Sequence, residues 1–204
     1  MRPQSSSRVI HATLIVLLAL AAAPLAAEDK PAQDKPTWVQ ESNLNTHYVL
    51  EQQARLGPEF AARSGLEGVD EQIIDLGPDI VKRTELMLEQ IIAELRRRLA
   101  GTEDPRVRQD LEILIGSMDL QLRQNQLTNE LMLPYLNVSQ LLYFSLNGLL
   151  DPALPAERQQ AALVRLRRYA GLEEGYTPLT ELARALVDER LEDKNLLGPY
   201  RGQL

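Results

Sequence analysis

Val81-Lys82-Arg83-Thr84-Glu85-Leu86-Met87-Leu88-Glu89-Gln90-Ile91-Ile92-Ala93-Glu94-Leu95-Arg96-Arg97-Arg98-Leu99 decides the fold class. Val81, Leu88, Ile91, Ile92, Leu95 and Leu99 recur at steps of three, four or seven, which puts them on one stripe of an α-helix. Val107, Leu111, Leu114, Met118 and Leu122 repeat the pattern after a break at Gly101 and Pro105. Each apolar stripe must bury itself against another, so the expected product is all-α, an antiparallel array of about six or seven helices without a sheet. Aromatic residues make up only 4% of the chain, which favours aliphatic helix packing over strands.

Working outward, Pro58, Pro78, Pro105, Pro155 and Pro178 each precede a periodic segment, and a first helical position tolerates the missing N–H of proline. Asp104 and Thr177 stand as expected N-caps; Gly101 and Gly171 stand as expected stops. The resulting map places helices near 38–56, 58–64, 78–100, 105–130, 137–150, 155–170 and 178–194. The stretch from Gly65 to Gly77 is long for a helix connection, and its Ile73, Ile74 and Leu76 mark it as ordered cover rather than a free loop.

The N-terminus sets an expected compartment. Arg2 and Arg8 precede the apolar run Leu14–Ala23, followed by Pro24 and small residues, the order of a secretory signal peptide over residues 1–27. That run is too short for the roughly 20 residues that span a bilayer, so no stable membrane insertion is expected once the signal is removed. Residues 28–37 are charged and interrupted by prolines, and read as a flexible leader. Residues 38–204 then form one helical domain. There is no cysteine, so neither a disulfide nor a lipidated cysteine is available, and a periplasmic or secreted location follows as the expectation.

The charge of −7 becomes more negative when Arg2 and Arg8 leave with the signal, which argues against nucleic-acid partners. The run Arg96-Arg97-Arg98 does not change this, because Glu94 sits one turn from Arg98 and makes the run a solvated helix face.

Catalytic zinc takes three protein ligands drawn mainly from histidine, carboxylate and thiolate. His11 belongs to the signal, leaving His47 alone, and neither a His-Glu-x-x-His helix nor a Gly-x-Ser-x-Gly elbow occurs. His47 reads as a packing or surface histidine on the first helix. Asp70, Glu71, Asp75 and Asp79 cluster around the long connection, where acids at helix ends ordinarily serve dipoles and solubility. Tyr135, Tyr143, Phe144 and Tyr169 read as core or interface aromatics, and the sequon Asn137-Val138-Ser139 opens a predicted helix. No catalytic, cofactor-binding or metal residue is assigned. An enzyme built on His47 with its neighbouring acids is the weakest of the functional alternatives.

Several segments, in order, resemble the N-terminal part of a bacterial family catalogued as domain of unknown function 885. They are Ala54-Arg55-Leu56-Gly57-Pro58-Glu59, Gly65-Leu66-Glu67-Gly68-Val69-Asp70, Asp110-Leu111-Glu112-Ile113-Leu114, Pro134-Tyr135-Leu136-Asn137 and Arg165-Leu166-Arg167-Arg168-Tyr169-Ala170-Gly171. Full-length members look like zinc metallopeptidases, and the resemblance implies a large, exported, mostly helical protein with a zinc-binding His-Glu-x-x-His helix in its C-terminal half. None of those ligands maps onto this chain, so zinc is implied only for the full-length relatives. The expectation is a helical shell segment, inactive alone, whose partner is the missing C-terminal half or a peptide-like ligand. The alternative is a stand-alone periplasmic helical binding or scaffold module.

Overall fold

The computed structural model describes residues 36–198, and the signal segment lies outside them, as does most of the expected leader. Seven helices follow in chain order: α1 (Thr37–Ala54), α2 (Pro58–Arg63), α3 (Ile80–Ala100), α4 (Pro105–Leu131), α5 (Val138–Leu149), α6 (Ala156–Tyr169) and α7 (Leu179–Asp188). No strand occurs among the described residues. One isolated parallel bridge, Met132 with Leu197, lets the chain beyond α7 lie against the end of α4.

The two stripes read from the sequence meet as expected. α3 and α4 pack along their lengths, and α1 closes a three-helix group over a core of Val49, Leu88, Ile91, Ile92, Leu95, Val107, Leu111, Ile115 and Met118. Leu88, Ile91, Leu95 and Leu111 are fully buried, and each such burial contributes roughly 1.5–3 kcal/mol. α1 contributes a different kind of surface. Its buried Ser42, Asn45 and Val49 follow helical spacing but are mostly small and polar, and Asn45 is occupied by Arg98, whose Nη1 donates to its Oδ1 at 3.0 Å.

The α3–α4 turn is closed by side chains. Asp104 caps α4 by accepting from the Arg106 N–H at 2.9 Å, and Pro105 takes the first helical position. Arg108 Nη1 donates to the carbonyls of Leu99 (2.9 Å) and Thr102 (3.0 Å), occupying groups that the end of α3 leaves without helical partners. Gly171 ends α6 as expected, at φ +67°, with its N–H donating to Arg168 and that of Leu172 to Arg167. Gly65 ends α2 in the same left-handed way.

Four details of the boundaries differ from the sequence reading. α3 starts at Ile80 rather than 78, because Asp79 takes a left-handed φ of 56° and Arg83 turns back to bond the carbonyls of Pro78 and Gly77. Thr177 does not cap α7; Pro178 occupies the N-cap without a side-chain bond. α7 ends at Asp188 rather than 194, since the chain must turn there for Arg190 to reach the Asn129 carbonyl at 3.0 Å and for Leu197 to pair with Leu131 and Leu133. At the front, Thr37 is already helical and so is not leader.

Glu94 is gripped by two neighbours, Arg97 at 2.7 Å and Arg98 at 2.8 Å. Hydrogen bonds from these guanidinium groups lower its carboxyl from the ordinary 4.5 to about 2. A carboxylate depressed in the folded state adds stability that is complete above its unfolded pKa and is lost as pH falls through the folded one. Glu94→Gln is therefore expected to flatten the acid limb of stability against pH between about 4.5 and 2. Parallel limbs in chemical denaturation of parent and variant would contradict this.

Candidate functional site

The acids that the sequence places around the long connection are all engaged by basic side chains. Asp70 receives Arg158 through two bonds, at 2.6 and 2.9 Å. Glu71 faces Arg168 at 3.5 Å, and its carbonyl accepts from Arg168 Nη1 at 2.7 Å. Asp75 takes both ends of the Arg83 guanidinium, which lowers its carboxyl below the ordinary value, while Asp79 pairs with Lys82 at 3.3 Å. A pair of carboxylates doing acid–base work needs one member free to exchange a proton. These acids instead hold a strap: residues 65–77 run between α2 and α6, and arginines of α6 pin them down.

Beneath the strap lies a buried polar cluster that the sequence reading did not assemble. Glu59 of α2, Ser145 of α5 and Arg165 and Tyr169 of α6 are each at least nine-tenths buried. The Tyr169 hydroxyl donates to Glu59 Oε1 at 2.6 Å, and the same oxygen accepts the Ile74 backbone N–H at 2.7 Å. Ser145 Oγ lies 2.9 Å from the Tyr169 oxygen and accepts from Arg165 Nη1 at 3.2 Å, while Arg165 Nη2 donates to the Val69 carbonyl at 2.9 Å. Burial, joined by the Glu59 carboxylate, pushes the Tyr169 phenol above its ordinary value; burial also lowers the pKa of the Arg165 guanidinium. With so little of any member exposed, the cluster works as an internal staple joining α2, the strap, α5 and α6.

His47 is exposed on α1, with Nε2 at 3.2 Å from Glu51 one turn away. That matches a surface histidine. Among the described residues no group of three or more histidine, cysteine or acidic side chains is placed to hold a metal ion. Glu94 does pair with Arg98, and Arg96 reaches Asp119 at 3.0 Å, so the arginine run is a neutralised face. Asn137 caps α5 by accepting from the Gln140 N–H at 3.0 Å. Of the four aromatics read as core or interface, only Tyr169 is interior. Tyr135, Tyr143 and Phe144 are exposed, and the last two form an edge-to-face pair at 5.4 Å with Arg63 over the Phe144 ring.

The outer face of α4 carries apolar side chains that the core does not use. Ile113, Leu120, Leu127 and Leu131 are 61%, 53%, 57% and 45% exposed. At 3.6 residues per turn the four lie within roughly 40° of one another and roughly 170° from the stripe that α4 buries. α4 therefore carries two apolar stripes, one in the core and one facing outward, and steps of seven along the second were present in the sequence as a signal. Single exposed leucines are ordinary on a protein surface, whereas an ordered row marks a surface suited to contact. No helix among the described residues is long and apolar enough to cross a membrane. Comparison of the chain with known protein families, with curated proteins and with solved structures finds no match.

Proposed function

We propose that this chain is a non-catalytic helical shell module, the N-terminal part of a metallopeptidase-like architecture, acting by laying the outer face of α4 against a further protein surface. The observation that carries the reading is the row Ile113, Leu120, Leu127 and Leu131, whose spacing suits a partner helix packed lengthwise. The strap and its staple support it too, because they spend the connection's acids on holding the module together. The ordered resemblance to the metallopeptidase-like family and the signal-like N-terminus support a module that works in the periplasm or outside the cell. The stand-alone scaffold alternative draws on the three-helix group having a buried apolar core of its own.

Sedimentation velocity over a concentration series tests the reading. The parent is expected to self-associate through the bare row, and Leu120→Gln combined with Leu127→Gln is expected to restore a monomer with unchanged helicity. A monomeric parent at every concentration would favour the stand-alone module. Reading the DNA past the Leu204 codon supplies the second arm: a frame encoding His-Glu-x-x-His supports the shell, and unrelated sequence counts against it.

A further inference from the structure

A cavity of about 510 Å³ opens between α1, α3 and α4, with Phe60 of α2 and Ile74 and Asp75 of the strap also lining it. Its size falls in the roughly 300–1,000 Å³ range of small-molecule sites. Val49 and Leu50 form one wall, Ile80 and Met87 a second, and Leu114 and Met118 the third. The core of the three-helix group is thus not filled at this end.

The polar groups that reach the cavity narrow what it takes. Gln53 Nε2 donates to Gln121 Oε1 at 3.1 Å, which leaves the Gln53 oxygen as an acceptor and the Gln121 NH2 as a donor beside the apolar walls. The hydroxyls of Thr46 and Thr84 are turned to the backbone of their own helices, to the carbonyls of Ser42 and Ile80. Only one lining residue is charged, Asp75, and its carboxylate is neutralised by both ends of Arg83. A bound anion would meet no unpaired cation here, and moving an unpaired charge from water into an apolar site is strongly unfavourable. Hydrocarbon meets three apolar walls, and one carbonyl, hydroxyl or amide finds the glutamine pair.

We infer that this cavity is a binding site for an uncharged, largely hydrocarbon or aromatic small molecule carrying a single hydrogen-bonding group, held by the Gln53–Gln121 pair. The inference stands apart from the proposed shell role, since the outer row of α4 is a different face.

The test is fluorescence titration of the full chain with the neutral probe N-phenyl-1-naphthylamine, followed by displacement with 1-decanol and with decanoate. Saturable binding at one site per chain is expected, with decanol displacing the probe at a concentration at least about tenfold below decanoate, because the acid would have to bury its charge or give up its proton. Thr46→Trp and Thr84→Trp, which fill the cavity from α1 and α3, are expected to weaken probe binding by about tenfold or more, a loss of about 1.4 kcal/mol. Leu120→Gln with Leu127→Gln is expected to leave the titration unchanged. Helicity and melting of each variant are recorded alongside, so that a misfolded variant is replaced by Ser117→Trp at the rim. Non-saturating binding, equal displacement by decanoate, or loss of binding in the Leu120/Leu127 variant with the tryptophan variants unaffected would overturn the assignment.

Discussion

Arg165→Ala is expected to destabilise the protein by about 3–5 kcal/mol, the range for removing one partner from a buried charged network. Arg165 is 1% exposed, and its Nη2 and Nη1 serve the Val69 carbonyl and the Ser145 hydroxyl. Alanine would leave a carbonyl and a hydroxyl buried with fewer partners, a cavity the size of the lost side chain, and the Glu59 carboxylate without the nearby positive charge. Arg165→Met keeps much of the volume and removes a buried charge whose own Nε finds no hydrogen-bond partner. It should therefore cost clearly less than the alanine variant. Urea denaturation of the three proteins decides the matter. An alanine loss below about 1 kcal/mol, the scale of a single ordinary hydrogen bond, would mean that the staple does not hold the strap.

Gly171→Ala is expected to cost about 2–5 kcal/mol, because two penalties coincide at one residue. The residue sits at φ +67°, which disfavours an L side chain by roughly 1–2 kcal/mol. A Cβ there would also lie 2.6 Å from Pro178 Cδ and 2.7 Å from its backbone nitrogen, and such overpacking adds typically 1–3 kcal/mol. Gly101→Ala is the matched control: at φ −97° its Cβ would meet nothing closer than the Arg98 carbonyl at 3.7 Å. That variant should be neutral or slightly stabilising. Thermal melts of the pair test the claim, and equal melting temperatures would refute the account of how α6 is joined to α7.

These sites also show what was legible in the sequence. Helices α1 to α6 were readable because leucine and isoleucine stripes, prolines and glycines mark them locally, and their ends fall close to where those signals lie. α7 ran shorter because its end is set by docking of the chain beyond it onto α4, a contact that no local residue announces. The staple was hidden for the same reason. Glu59 and Tyr169 are separated by 110 positions, and Asp70 and Arg158 by 88, so neither the carboxylates nor the arginines revealed their partners. The acids of the connection could be named, but their role as anchors for arginines became visible only in three dimensions. The second stripe of α4, Ile113, Leu120, Leu127 and Leu131, lies on the opposite side of the helix from the core stripe and was present in the sequence as steps of seven and four.

The contact role proposed for the outer face of α4 is open to one direct measurement. With no cysteine elsewhere in the chain, Leu120→Cys can carry a single environment-sensitive fluorophore on that face. Its emission is expected to shift to the blue as protein concentration rises, and to shift back when Leu127→Gln is added. An emission that stays that of a water-exposed label at all concentrations would contradict the claim and leave the row as ordinary exposed surface.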